Sequence, residues 1–311
     1  MSVTLVKPGL QSTIQSRPRA GLRHQGVPSG GAADPLSLAL ANRLVGNAWD
    51  APAIEAALLG PALRFDRDCA VAVTGAIATV TLNGTAVGQH RSVFAREGDE
   101  LVVGACETGA RVYVAVAGGF AVPEVLGSAA TSLQAGFGGF EGRAFAAGDV
   151  LETVGGEVSE RETPAEFRPP MATSWALRAC DAAETPLLQN ADTLFDTNWV
   201  VDRRADRMGL RLDGPTLSVS SDGRMPSAAV FPGTVQCPED GAPYILSADA
   251  GTVGGYPRVA QVARLDRHIL GQLRPGDHVR LLRRDPDDAV EELRDKIDYW
   301  REWLPAIAEI F

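Results

Sequence analysis

Apolar positions along this 311-residue chain fall mostly in short runs of strand length, separated by glycine-bearing turns. Cys69-Ala-Val-Ala-Val-Thr74, Thr79-Val-Thr-Leu82, Glu100-Leu-Val-Val103 and Ala110-Arg-Val-Tyr-Val-Ala-Val116 read as strands, with turns at Asn83-Gly84, Gly98-Asp99 and Gly118-Gly119. The opening Met1–Lys7 reads as a strand too, as do Tyr244–Ala248 and Val259–Val262. Helical spacing appears in two places. Pro35–Leu44 has Asp34 as N-cap, Pro35 at the first helical position and Gly46-Asn47 as its stop. From Asp285-Pro-Asp-Asp288 onward, Val290, Leu293, Ile297, Trp300 and Leu304 recur at the helical period, with acids where the helix dipole favours them. That terminal helix either packs back on its own barrel or docks a partner, and apolar stripes more often face a core.

The pattern predicts a mainly β fold with a few short helices, rather than an alternating β-α series. A faint echo between halves (Leu59-Gly60-Pro61 and Asp213-Gly214-Pro215) and a Gly/Glu/Ser/Pro-rich stretch at 155–170 divide the chain. The expected units are 1–160, a β-barrel-type domain; 166–284, a second barrel; and 285–311, the terminal helix.

Composition narrows the function classes. The chain is 45% hydrophobic with 33 Gly and 20 Pro, as suits a turn-rich globular protein. No apolar stretch approaches a membrane span, and the opening lacks a charged leader, so the cytoplasm is the expected location. Cys69, Cys106, Cys180 and Cys237 are scattered, as are His24, His90, His268 and His278, so no metal site is expected. Net charge is −10 and no basic face is evident, which argues against nucleic acid. Among the 29 basic residues only Lys7 and Lys296 are lysines; anions here would be met by guanidinium forks.

Four segments combine glycine with charge. Asp249-Ala-Gly-Thr252-Val-Gly254-Gly255-Tyr256-Pro257-Arg258 joins two strand-like runs, and Gly254 and Gly255 can take positive φ. It reads either as a polar pocket floor, with Gln236 just upstream, or as a tight hairpin satisfying its own turn. Gly21-Leu-Arg23-His24-Gln-Gly26-Val-Pro28-Ser-Gly30-Gly31-Ala-Ala-Asp34 runs into a helix start, where backbone N–H groups suit an anion. Without a Gly-Lys-Ser/Thr ending it is no P-loop; the plain alternative is a surface loop with Asp34 as cap. In Asp206-Arg207-Met-Gly209-Leu-Arg211, an extended backbone would set Arg207 and Arg211 on one face, to converge on an anion or to form surface ion pairs. Glu141 and Arg143 in Gly138-Gly-Phe-Glu-Gly-Arg143 suit a substrate-edge loop or a self-contained ion pair. No nucleophile elbow is present, so electrostatic positioning and proton transfer are the expected chemistry.

Taken together, Pro8-Gly-Leu-Gln11, Gly26-Val-Pro28, Gly30-Gly-Ala-Ala-Asp34, Ala41-Asn42 with Val45-Gly46-Asn47, Thr74-Gly-Ala76, Gly138–Arg143, Asp206-Arg-Met-Gly209 and Gly254-Gly-Tyr-Pro257 resemble the biotin-dependent carboxyltransferase-like family. That family includes allophanate hydrolase subunit 2, the C subunit of ATP-dependent 5-oxoprolinase (KipA), and half of the urea carboxylase carboxyltransferase domain. The resemblance spans residues 5 to 282. It implies two cyclophilin-like β-barrels and a sister subunit of the allophanate hydrolase subunit 1 or KipI type, in a heterodimer or heterotetramer. The leading implied function is opening a cyclic amide as a 5-oxoprolinase subunit, the chain holding part of an active site and being inactive alone. The alternatives are half of an allophanate hydrolase or urea carboxylase-type carboxyltransferase, or a KipA-like protein that binds a kinase inhibitor. The resemblance leaves room for ATP in the full complex, and implies biotin only through a partner, since neither lysine follows a Met. The implied roles give proton handling to Asp249, Tyr256 and Asp206. Anion or substrate contacts fall to Arg207, Arg211, Arg258, Thr252, Gly254, Gly255, Gln236, Arg23, His24, Gly30, Gly31, Asp34, Glu141 and Arg143. Three departures from the family pattern point to altered contacts: Gln15-Ser16-Arg17-Pro18-Arg19 lacks the usual acid, Gly251 replaces a Gln, and Arg258 replaces a Lys.

Overall fold

The computed structural model describes residues 2–156, 160–220 and 225–311. Residues 157–159 of the expected linker lie outside the described residues. The first half builds one nine-stranded sheet around two long antiparallel strands, Cys69–Leu82 and Glu100–Val116. Each merges two runs that the sequence pattern separates. Gly75 and its neighbours carry register shifts instead of a turn. At Gly75 φ is +92°, and a Cβ would sit 2.4 Å from the Arg111 carbonyl oxygen, so the bulge requires glycine. Strands Gln11–Gln15, Ala53–Ala57, Ala62–Phe65, Ser2–Lys7 and Val150–Glu152 complete the main path, and the sheet curves as a half-barrel.

The second half closes. Seven strands (Ser174–Cys180, Asn198–Val201, Gly209–Asp213, Thr234–Gln236, Tyr244–Leu246, Arg258–Val262 and His278–Arg283) form a barrel around Trp199, Leu212, Val235, Ile245, Val259 and Leu281, all nearly inaccessible. Closure comes from the parallel pairing of Ser174–Cys180 with His278–Arg283, all other barrel pairs being antiparallel. A mainly β architecture with one full barrel thus matches the expectation, while the first-half barrel is only partial.

Helix α1 (Pro35–Leu44) lies against the first sheet with Leu36 through Asn42 buried. Asp34 caps it as its sequence requires, accepting from the Ser37 amide at 3.0 Å. A short helix, α2 (Ala191–Asp196), covers part of the barrel. Helix α3 (Pro286–Arg301) and the terminal turn α4 (Ile307–Ile310) fold back on the chain. Trp300, Leu304, Ile307 and Phe311 pack with Leu36, Ala39 and Leu40 of α1 and with Phe167, so the terminal helix fastens onto the first half as well as the barrel. No helix among the described residues is long and apolar enough to cross a membrane.

Candidate functional site

Where the two halves meet, charged side chains are buried across the seam. Glu55, on strand Ala53–Ala57, is 4% exposed and faces Tyr113 of the long strand. Its Oε2 accepts from the Tyr113 hydroxyl at 2.7 Å and the Ala33 amide at 2.9 Å. Its Oε1 accepts from Arg207 of the barrel half and lies 3.4 Å from Arg111. Arg207 is engaged at all three nitrogens: besides Nη1 on Glu55, Nε and Nη2 donate to the Asp249 carboxylate at 2.7 and 2.9 Å, and Nη2 also donates to the Gly31 carbonyl. Burial opposes the Glu55 charge, but Arg207, Arg111 and the two hydrogen bonds outweigh it and hold its carboxyl below the usual range. Gln272 completes the seam, accepting from the Ala110 and Arg111 amides and donating to Asp34. Every charge in this seam is answered within the chain, so it is a clamp rather than a receptor.

Beside the clamp lies a cavity of about 340 Å³ with the opposite character. Its walls are the loop Pro18–Gly30, Phe231-Pro232, Ser247-Ala248, residues 264–270 and residues 309–311. Arg19, Arg23, Arg264 and Arg267 all line it, with His268. Among the described residues none of these four arginines has a carboxylate within ion-pair distance. Arg19 donates to the Val125 and Ala130 carbonyls and Arg23 to those of Val230 and Gly251, so their side chains are fixed in place. Burial lowers the pKa of Arg19, Arg23 and Arg267; the Asp249 carboxylate pulls Arg19 partly back up, and Arg264 adds repulsion on Arg267. In a chain of net charge −10, two held guanidiniums (Arg19 and Arg23) with Arg267 and the exposed Arg264 beside them suit an anion, Glu309 of the same lining being engaged by Trp49. At Gly30 φ is +59°, and a Cβ would lie 3.3 Å from Arg19 Nη1 and 3.6 Å from Asp249 Oδ1, so the loop corner passes between cavity and clamp.

The residues singled out from the sequence do not form one cleft. Arg23 and Gly30 line the arginine cavity, whereas Gly31 and Asp249 belong to the clamp; His24 is exposed. Asp34 is spent as helix cap and Gln272 partner. Arg207 and Arg211 do not converge, because residues 207 and 208 bend before the strand begins at Gly209. Arg207 turns into the clamp and Arg211 pairs with Asp240 at 2.8 Å. Asp206 is a turn carboxylate, accepting from the Met208 and Gly209 amides. Arg258 is held by Glu184 at both oxygens. Arg143 binds Glu141 and Asp149, the self-contained outcome for that loop.

The Gly-Gly-Tyr-Pro corner is no tight hairpin. The chain leaves the barrel after Leu246, pairs Val253-Gly254 with Ala228-Ala229, and returns at Arg258. Neither Gly254 nor Gly255 has a positive φ. At Gly254 a Cβ would lie 2.5 Å from the Gln236 amide nitrogen, so a larger residue would have to displace Gln236, which donates to the Tyr256 carbonyl. The Thr252 carbonyl accepts from Val230. Tyr256 and Gly255 line a separate cavity of about 260 Å³ with Glu239 and Cys237, so Tyr256 and Asp249 do not share a wall.

Sequence reasoning missed Glu55, Arg111, Tyr113, Gln272, Arg19, Arg264 and Arg267. Arg111 and Tyr113 carried a signal: they share one face of an otherwise apolar strand. Arg264 and Arg267 carried none, since only the helical turn 264–271 aims them at a loop more than 230 residues away.

Comparison with known proteins gives three concordant findings. The family described as "Carboxyltransferase domain, subdomain A and B" matches residues 25–283. The chain is 34% identical to the C subunit of 5-oxoprolinase from Haemophilus influenzae, covering 93% of this chain and 96% of that one, and 33% identical to its Escherichia coli counterpart, covering 96% of each. The Kluyveromyces lactis urea amidolyase structure superposes with a TM-score of 0.89 at 29% identity over 95% of this chain, which spans 20% of that much longer protein.

Proposed function

This chain belongs to the carboxyltransferase-domain family of subdomains A and B, and on that premise we propose that it is a subunit of a heteromeric amide-metabolising enzyme of the 5-oxoprolinase type. It would open a cyclic amide together with a sister subunit of the allophanate hydrolase subunit 1 or KipI type, and contribute only part of the active site. The observation that carries this reading is the cavity of four arginines without carboxylate partners. A small cyclic amide bearing a carboxylate, or the phosphorylated form of its amide oxygen, needs such guanidinium forks. Arg19 and Arg23, anchored through their carbonyl contacts, would orient the anion; Arg264 and Arg267, from the turn 264–271, would neutralise it. The clamp of Arg207, Asp249 and Glu55 would hold the two halves in register so that these walls face one another.

ATP in the full complex would supply the driving force of ring opening, and the guanidiniums of the arginine cavity would be the groups in this chain to meet a phosphoryl group. Biotin would enter only through a partner. The superposition on urea amidolyase favours a second reading, in which the same cavity serves carboxyl transfer to a linear amide.

Reconstitution with the sister subunits decides between them. ATP-dependent conversion of 5-oxoproline to glutamate, lost in Arg264→Ala/Arg267→Ala with folding kept, is the expected result. Carboxyl transfer to urea without ring opening would overturn the leading reading, and ring opening at full rate in the double variant would remove the cavity from it.

A further inference from the structure

A second cavity, of about 410 Å³, lies beneath helix α3, bounded by barrel strand Ser174–Cys180, the turn 264–271 and the segment 166–172. Only His268 is common to it and the arginine cavity. Its body is apolar, with Met171, Trp175 and Trp300 around it. Its polar end is short of acceptors. Lys296 Nζ donates to the Leu265 carbonyl at 2.7 Å and rests 4.7 Å from the Phe311 ring, with two further N–H groups to give. No carboxylate pairs with it among the described residues. His268 is 7% exposed and its Nδ1 has no partner. Of the acids in its lining, Asp266 is committed to two side-chain donors of Arg178 and to its amide, and Asp34 to Ser37 and Gln272, while Glu166 is exposed. A part-buried ammonium beside a buried imidazole, which the Leu265 backbone also engages, stands at the head of an aromatic chamber and suits an anion.

We propose that this cavity binds a compact monocarboxylate with an apolar body, its carboxylate received by Lys296 and His268 and its body lodged between Trp175 and Trp300. Two donors on neighbouring elements match the two oxygens of one carboxylate, and the chamber volume suits a single ring or short branched chain. A phosphate dianion fits less well, because one ammonium would be its only full positive charge not already paired.

The charged groups around Lys296 come from every packed element: Asp266 and His268 from the turn, Arg178 from the barrel strand, Asp34 from the start of α1, Glu166 and Arg168 (paired with Glu162) from the segment 166–172, and Glu292 of its own helix, which pairs with Arg178 and Arg284. Burial lowers Lys296 to about 8, Asp266 and Asp34 pulling upward and Arg178 pushing down. The carboxylate requires the ammonium form, so affinity falls as pH rises through that value.

The test uses the full chain, benzoate as probe and benzyl alcohol as its neutral counterpart, followed by calorimetry and tryptophan fluorescence. Saturable benzoate binding is expected, at least about tenfold tighter than benzyl alcohol and weakened at least about tenfold in Lys296→Met, which keeps an unbranched apolar stem and removes the ammonium. Binding should weaken steadily above pH 8. Met171→Trp, which fills the chamber without altering charge, should abolish binding while circular dichroism stays native, and so serves if Lys296→Met does not fold. The proposal is overturned by absence of binding up to about 10 mM, by equal affinity for the two probes, or by wild-type affinity in the folded variants. Loss of benzoate binding in Arg267→Ala with retention in Lys296→Met would equally overturn it, since the probe would then occupy the arginine cavity. None of these outcomes depends on the reaction proposed above.

Discussion

Arg207 of the barrel half reaches across the molecule to Glu55 of the first sheet, and both side chains are almost wholly buried. The same guanidinium holds Asp249 at both oxygens, so a single residue ties the barrel's own loop to the neighbouring sheet. Truncating it strands two carboxylates in the interior. Arg207→Met should therefore cost about 3–5 kcal/mol of unfolding free energy, whereas Arg211→Met, whose partner Asp240 is half exposed, should cost about 1 kcal/mol or less. Urea denaturation of the two variants provides the comparison; equal losses would mean that the clamp is not the joint between the halves.

The clamp also sets an acid limb. Glu55 has a folded pKa below its unfolded one, so the unfolded chain binds that proton first and stability falls as pH drops through the folded value. The contribution is complete above the ordinary glutamate range and disappears below it. Glu55→Gln should lower stability at neutral pH and flatten its decline below about pH 4.5. Parallel declines in the two proteins would assign acid unfolding to other groups.

How much of this was legible in the sequence depends on the range of the interaction. Local grammar carried the first helix, because Asp34, Pro35 and Gly46 punctuate it within a dozen residues. It carried the terminal helix too: Leu293, Ile297 and Trp300 pack inward and Leu304 follows just past the helix end, while Val290 of the same stripe is exposed. The long strands escaped division by turns because glycine at position 75 serves a bulge, and bulge and turn use the same residue type for the same φ. The candidate site was half visible. Arg23 and Gly30 stand in a loop that announces itself, but Arg264 and Arg267 reach the cavity through tertiary folding alone. Arginines 207, 211 and 258 looked alike in sequence, and only their partners Glu55, Asp240 and Glu184 tell clamp from surface pair.

Charge removal in the arginine cavity should act on binding rather than on folding. Arg264 and Arg267 carry no carboxylate partner whose loss would expose a buried charge, and removing Arg264 relieves repulsion on its neighbour. Arg264→Ala/Arg267→Ala should keep or slightly raise stability while weakening inorganic phosphate binding by about tenfold or more, since a charge-assisted hydrogen bond is worth about 1.5–3 kcal/mol. Calorimetric titration checks it. Unchanged phosphate affinity with lowered stability would make the two arginines structural.

The loop corner at Gly30 offers a milder perturbation of the same cavity. Alanine there has to hold φ near +59° and place a methyl 3.3 Å from Arg19 Nη1. The backbone strain costs about 1 kcal/mol, and the methyl displaces the guanidinium that faces the cavity. Gly30→Ala should therefore weaken anion binding more than it lowers the unfolding midpoint, while Gly21→Ala, at similar φ with open space around its Cβ, should show the strain alone. Identical phosphate affinities in the two variants would remove Gly30 from the site.

Histidine 90 supplies the last expectation, and its sign is opposite to a salt-bridged histidine. Burial, followed by repulsion from Arg168, lowers its pKa to about 4, and its Nδ1 has no partner. The unfolded chain takes up this proton near pH 6.5 and the folded chain only near 4, so between those values the unfolded state binds more protons and acid destabilises the fold. The full contribution is present above pH 6.5, roughly 2 kcal/mol of it is gone by pH 5, and nothing further is lost below the folded value. His90→Asn is the informative substitution because φ at this position is +59°, which asparagine tolerates. Urea midpoints measured from pH 7.5 to 5 should fall in the parent chain and fall much less in His90→Asn. A common slope in that window would mean that His90 takes up its proton in the folded state as readily as in the unfolded one.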